Sequence, residues 1–158
     1  MNPLVPWSKE AIDAIIARFV REPGALMLVL HEMQDTFGCI PPESIAVIAA
    51  GLNLSRAEVH GVVTFYRDFR RERPGRHTIA VCRAESCQAM GGNALAEHIK
   101  TRLGIDFGRT SADGSFTLEP VYCLGNCACS PAVMIDHELR GRVSPAGFDA
   151  ICERLRKS

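Results

Sequence analysis

Aromatic side chains are scarce in this sequence, with one tryptophan and two tyrosines among 158 residues, and neither charge sign is in excess. Basic and acidic side chains number 18 each, for a formal net charge of zero at pH 7. The balance holds along the chain, with 8 basic and 9 acidic groups in residues 1–75 and 10 and 9 beyond them. A protein that tracks phosphates or anionic lipid needs a basic face, so nucleic acid is not an expected partner. Long apolar runs are missing too. None exceeds six residues, as at Ala25 to Leu30, where His31 ends the run, whereas a membrane-spanning helix needs about 20. Direct membrane insertion is therefore not expected. The opening MNPLVPWSKE lacks the basic start and apolar stretch of about 7 to 15 residues that mark a secretory signal, and a cytoplasmic protein is expected. Several catalytic signatures are also absent: no G-x-G-x-x-G opens a helix after a strand, and no G-x-x-x-x-G-K, G-x-S-x-G or H-E-x-x-H occurs. Nothing marks the chain as a unit that transfers hydride.

What is present describes a globular protein, 47% hydrophobic and 23% charged. A chain of this length buries roughly 68 to 70% of its unfolded surface, enough for a core without disulfides. Ser8 can cap a helix whose apolar residues Ile12, Ile15, Ile16, Phe19 and Val20 form one stripe of a 3.6-residue period. Leu26, Val29, Leu30, Met33 and Phe37 repeat the pattern, with Gly38 placed as the left-handed stop. A third helix is expected over residues 43–50, closed by Gly51, and a fourth from Ser55, which with Glu58 makes a capping box. The polar break from Arg70 to Arg76 separates this helical bundle, residues 1–73, from a second region, residues 74–158. There the expected order is a strand at residues 77–81, a helix at 93–103 closed by Gly104, strands at 116–122, 133–135 and 139–143, and a last helix capped by Ser144. The fold class expected is α+β, a small helical bundle followed by a mixed sheet flanked by helices.

Five of the seven cysteines fall in two short segments, Cys82-Arg-Ala-Glu-Ser-Cys87 and Cys123-Leu-Gly-Asn-Cys127-Ala-Cys129, with 35 residues between Cys87 and Cys123. Each segment begins where an expected strand ends, so two loops can bring four sulfurs together. Soft thiolates in a set of four select zinc or an iron–sulfur cluster. Structural zinc sites favour short knuckles; gaps of four and three residues suit the wider [2Fe-2S] cluster, for which C-x4-C is an established spacing. A zinc-stapled interaction module is the second reading. Cys129 competes with Cys127 for the fourth position. None of the five histidines lies beside a cysteine of either segment, which disfavours a Rieske centre. Gly91, Gly92 and Gly125 let backbone approach the sulfurs of a negatively charged core. Cys39 and Cys152 read as structural, Cys152 lying on the apolar stripe of the last helix. Thr64, Phe65, Tyr66 and Phe69 read either as a docking patch or as internal packing.

The C-x4-C segment followed by Gly-Gly, the later C-L-G-x-C and the Ser130-Pro131 before a strand resemble the thioredoxin-like [2Fe-2S] ferredoxin family. The helical region ending in Gly61-Val-Val-Thr-Phe-Tyr66 and Phe69 resembles the N-terminal part of that family's 24 kDa-type subunits, and the resemblance covers nearly the whole chain. It implies a thioredoxin-like [2Fe-2S] domain at residues 74–158, with Cys82, Cys87, Cys123 and Cys127 as cluster ligands. It further implies a proline at 131 of the kind that is often cis, and a non-catalytic electron-transfer subunit exchanging single electrons with a flavin-bearing, NAD-binding partner. Such subunits occur in respiratory NADH:quinone oxidoreductase, in NAD-reducing hydrogenases and in soluble molybdenum formate dehydrogenases. The compact length and the segment from Cys123 to Pro131 are most similar to the gamma subunits of NAD-dependent formate dehydrogenases. On that resemblance, further iron–sulfur and molybdenum subunits are expected partners.

Overall fold

The protein is described by a computed structural model over residues 6–157. Its chain divides into two compact units, Met1–Arg73 and Pro74–Ser158.

The first unit is helical. Ser8 accepts the Ala11 N–H and opens α1 (Lys9–Phe19), and Gly38, at φ 80°, closes α2 (Ala25–Phe37). Ser55 and Glu58 complete their capping box at the start of α4 (Arg56–Phe65). Between them, α3 (Ser44–Leu52) runs through Gly51 and is ended by Asn53 at φ 54°. The expectation that Gly51 stops this helix is therefore corrected, and the reason is packing. A Cβ at Gly51 would lie 2.7 Å from Ile16 Cδ1, so the glycine lets α1 and α3 approach closely. Ile12, Val29, Leu30, Met33, Ile40 and Ile48 are fully buried in the core that these helices share.

The second unit holds a five-stranded sheet in the order β2-β3-β1-β4-β5. Its strands are β1 (His77–Cys82), β2 (Arg109–Thr110), β3 (Phe116–Val121), β4 (Val133–Ile135) and β5 (Glu138–Arg140). β1 is parallel to β3 and antiparallel to β4, and the two edge pairs are antiparallel hairpins. The mixed α+β sheet expected from the sequence is present, with three additions. β2 is a two-residue strand, and Glu85–Ala89 forms a one-turn helix, α5, inside the first cysteine segment. Cys127–Cys129 forms a 3-10 turn inside the second. All three are shorter than the window over which apolar periodicity can be read. α6 (Gly92–Leu103) and α7 (Pro145–Leu155) supply Leu95, Ile99, Phe148 and Cys152 to a core with Ile79, Phe116, Leu118 and Val133 of the sheet. Gly104 and Ser144 cap these helices as expected.

The expected strand at 139–143 is shorter and begins earlier, at Glu138. Asp136 and His137, at φ 48° and 73°, make the tight turn that joins β4 to β5. Arg142 at φ 51° then leaves the strand, and its N–H bonds the Cys129 carbonyl at 2.6 Å.

Candidate metal centre

Parallel pairing of β1 with β3 decides where the cysteines go. In the observed register Cys82 stands opposite Val121, so both strands end at the same edge and Cys123 follows two residues later. The Arg83 N–H bonds the Val121 carbonyl at 2.7 Å, and the Cys82 N–H bonds the Ala132 carbonyl at 3.1 Å. Three loops are thereby tied to one end of the sheet. Cys82, Cys87 and Ala132 form a small buried cluster there, flanked by Ala84, Val121 and Leu124.

The structure places all four sequence-predicted site residues at this edge. Cys123 Sγ and Cys127 Sγ are 3.8 Å apart, which is about the separation of two thiolates on one tetrahedral ion with metal–sulfur bonds of about 2.3 Å. Burial pushes the Cys82 thiol up, against the Ala84 and Leu124 N–H groups that bond its sulfur. Burial acts on Cys87 in the same direction, but hydrogen bonds from the Ser130 hydroxyl, from Cys82 and from the Ala132 N–H prevail and bring it below the ordinary thiol value. The Cys127 thiol is raised, first by its hydrogen bond and charge interaction with Cys123, and more weakly by the charges of Cys87 and Cys82. Cys82 and Cys87 thus act on one another, and Cys127 feels the other three. The Cys129 carbonyl receives the Arg142 N–H, and the Cys129 Cβ lies 2.6 Å from where a Cβ on Gly141 would stand. Cys39 and Cys152 are buried elsewhere, and burial raises both thiols.

The surroundings fit a negatively charged group. The Gly125 N–H reaches Cys123 Sγ at 3.3 Å, with Gly125 at φ 74° and Cys123 itself at φ 136°. A non-glycine residue in that region of backbone space is strained, and such strain is concentrated at functional sites. Backbone N–H groups from Ala84, Leu124, Ala132 and Gly125 therefore face three of the sulfurs, the arrangement that stabilises thiolates around an anionic core. Of the three glycines expected to admit backbone, Gly125 does so. Gly92 serves a different contact, since a Cβ there would lie 2.5 Å from the Cys87 carbonyl oxygen, and Gly91, at φ 86°, forms the turn before α6.

Two polar residues of the site carry no recognisable motif. Ser86, within the first cysteine segment, and Ser130, just after the second, meet at an Oγ–Oγ distance of 3.0 Å, and Ser130 Oγ is 3.4 Å from Cys87 Sγ. Each adjoins a cysteine, and Ser130 belongs to the Ser130-Pro131 step noted in the sequence, but neither signals the contact. Ser130 also precedes Pro131 through a cis peptide bond. Elsewhere, the aromatic segment divides: Phe69 is buried in the helical core, while Phe65 and Tyr66 are 78% and 45% exposed.

The family model for thioredoxin-like [2Fe-2S] ferredoxins matches residues 12–156. The chain belongs to this family. Its cofactor is a [2Fe-2S] cluster, and the cysteine thiols at the shared end of β1 and β3, with the Gly125 N–H at Cys123 Sγ, fit that group. Among curated relatives, one subunit of the NADH-quinone oxidoreductase of Pseudomonas aeruginosa is 41% identical over 130 residues, covering 82% of this chain and 78% of that protein. The NADP-reducing hydrogenase subunit HndA of Solidesulfovibrio fructosivorans is 33% identical over 140 residues, covering 89% and 81%. Among solved structures, an NAD+-reducing [NiFe]-hydrogenase in its H2-reduced state superposes with a TM-score of 0.72 at 22% identity, a likeness of fold. The match covers 84% of this chain and only 22% of that one. Among the described residues no helix is long and apolar enough to cross a membrane.

Proposed function

We propose that Cys82, Cys87, Cys123 and Cys127 ligate the [2Fe-2S] cluster and that the chain is the one-electron carrier of a larger NAD-linked oxidoreductase. The observation that carries this reading is the convergence of two cysteine loops at the shared edge of β1 and β3. When bound, the cluster supplies reversible one-electron transfer without bond-making on a substrate. The chain's own residues then have three tasks: the cysteines hold the irons, the N–H groups of Ala84, Leu124, Gly125 and Ala132 stabilise the thiolates, and burial of Cys82 and Cys87 excludes water from one side. Two-electron chemistry at NAD requires a partner that can split the pair, and a flavin does this. The partner proposed is a flavin-bearing, NAD-binding subunit, in a complex located in the cytoplasm.

The parent complex proposed is a soluble NAD-dependent formate dehydrogenase, with molybdenum and further iron–sulfur subunits. The Cys123 to Pro131 segment supports this choice. The relatives, which belong to an NADH-quinone oxidoreductase and an NADP-reducing hydrogenase, favour the second reading, an NADH:quinone oxidoreductase or NAD-reducing hydrogenase.

Iron and sulfide analysis with EPR of the dithionite-reduced, anaerobically purified protein tests the carrier. Two irons, two sulfides and one S = 1/2 signal per chain are expected, whereas a colourless chain holding one zinc after attempted reconstitution overturns the reading. Capture of the tagged chain from its own cells, followed by assay of formate, hydrogen and quinone as redox partners for the nicotinamide, separates the complexes.

A further inference from the structure

The serine pair of the site offers two hydroxyl protons to more acceptors than two protons can serve. Ser130 Oγ lies 2.9 Å from the Cys127 carbonyl, 3.4 Å from Cys87 Sγ and 3.0 Å from Ser86 Oγ. Ser86 Oγ lies 3.2 Å from the same Cys127 carbonyl. Each hydroxyl donates once, so two arrangements compete. In the first, Ser130 donates to the Cys127 carbonyl and Ser86 donates to Ser130. In the second, Ser130 donates to Cys87 Sγ and Ser86 takes over the Cys127 carbonyl. Both leave the carbonyl satisfied; the second gives up the bond from Ser86 to Ser130 and gives the sulfur a donor instead.

We infer that Ser130 and Ser86 act as a two-hydroxyl relay that sets the reduction potential of the site, with Ser130 turning toward Cys87 Sγ when an electron is added. The inference rests on the proposed ligand role of Cys87. A hydrogen bond to a charged acceptor is roughly twice as strong as one between neutral groups. Two ferric ions, two sulfides and four thiolates sum to about two negative charges, and reduction makes that about three. The second arrangement therefore gains on reduction, and the relay stabilises the reduced state more than the oxidised one. Ser130 is 8% exposed, so little water competes for the sulfur, and burial strengthens the bond. One electron arrives from the flavin of the proposed partner, both protons stay on their own oxygens, and no covalent bond is made or broken. Ser86 is a positioning residue: it relieves Ser130 of the carbonyl so that the Ser130 hydroxyl is free to turn.

The test is an EPR-monitored redox titration of the full-length holoprotein and of Ser130→Ala and Ser86→Ala, each with iron content measured. Ser130→Ala is expected to lower the reduced-to-oxidised ratio at fixed potential three- to tenfold, a midpoint about 28 to 59 mV lower at 59 mV per tenfold for one electron. Ser86→Ala is expected to lower it about twofold, about 18 mV by the same constant. Both shifts are expected to be equal at pH 7 and pH 8.5, because no group titrates. An unchanged midpoint in fully loaded Ser130→Ala overturns the relay and leaves the serines as a structural tie between loops. If Ser130→Ala does not retain the cluster, Ser86→Ala decides, and an unchanged midpoint there overturns the relay as well. Failure of the underlying reading is seen separately, as full iron content and an unchanged spectrum in Cys87→Ser.

Discussion

The two cysteine pairs of the site differ in their surroundings. Cys82 and Cys87 are 3% and 2% exposed, enclosed with Ala132 and flanked by Ala84, Val121 and Leu124, whereas Cys123 and Cys127 lie on the surface. The first pair spans the end of a central strand and a one-turn helix, so its sulfurs are held by the same packing that holds the sheet. The second pair sits in a loop at a strained backbone position, and it borrows its order from the N–H of Gly125 and from the 3-10 turn. One half of the site is thus preorganised by burial, and the other half faces outward, where an electron can enter or leave.

The largest effect that would break this comparison is at the buried pair. Cys82→Ser is expected to abolish visible absorbance and iron content. Cys123→Ser, at the exposed pair, is expected to perturb the spectrum strongly while retaining part of the iron, because the enclosed pair still anchors one side. Equal loss in both variants would erase the distinction, and an unchanged spectrum in Cys82→Ser would remove the ligand set.

Packing behind the buried pair is the next target. A Cβ at Gly92 would stand 2.5 Å and 2.8 Å from the Cys87 carbonyl oxygen and carbon, which are backbone atoms that cannot swing aside. Gly92→Ala is expected to cost about 1 to 3 kcal/mol through overpacking, measured by thermal unfolding, with cluster occupancy falling in parallel. Gly125→Ala puts strain on the exposed pair instead, at about 1 to 2 kcal/mol for a left-handed residue, and its occupancy is expected to fall less.

Cysteines outside the site provide the control. Cys152 is fully buried among Ile99, Phe148 and their neighbours, and Cys152→Ser is expected to destabilise the chain by about 1 to 3 kcal/mol, the cost of a buried hydroxyl without a designed partner. Its cluster spectrum is expected to match that of the unmodified protein. A spectral change would mean that the whole second unit, and not the local shell, orders the sulfurs.

The smallest effect lies at the opposite end of β3. Hydrogen bonds from the Ser111 hydroxyl and from the N–H and hydroxyl of Ser115 hold the Asp113 carboxyl down at about 2. A folded-state value below the ordinary 3.8 adds stability that is present above that value and lost as pH falls from about 4 toward 2. Asp113→Asn is expected to flatten the pH dependence of unfolding in that window and leave the cluster spectrum unchanged at neutral pH.

Much of this was legible along the chain. Caps at Ser8, Ser55 and Ser144 and the stops at Gly38 and Gly104 act within four residues of themselves, so local sequence suffices to place them. Gly51 shows the limit: a glycine late in an apolar stretch reads as a stop, yet its role is set by Ile16, which is 35 residues away in sequence. The same holds at the site, where the cysteine spacing alone could not separate Cys127 from Cys129. Cys127 Sγ stands 3.8 Å from Cys123 Sγ, a contact made across the loop that spacing does not specify.

The sequence by itself determined the helical periodicity, the change of pattern after Arg73 and a sulfur-rich chemistry in two loops, because these depend on residue type and short spacing. Tertiary structure alone decided that β1 and β3 run parallel with Cys82 beside Val121. It likewise decided that one pair of cysteines is enclosed while the other is open, and that Ser86 and Ser130 share a carbonyl, with Ser130 also beside a sulfur. Strand register and burial arise from contacts between residues tens of positions apart, and no local pattern encodes which of them will meet.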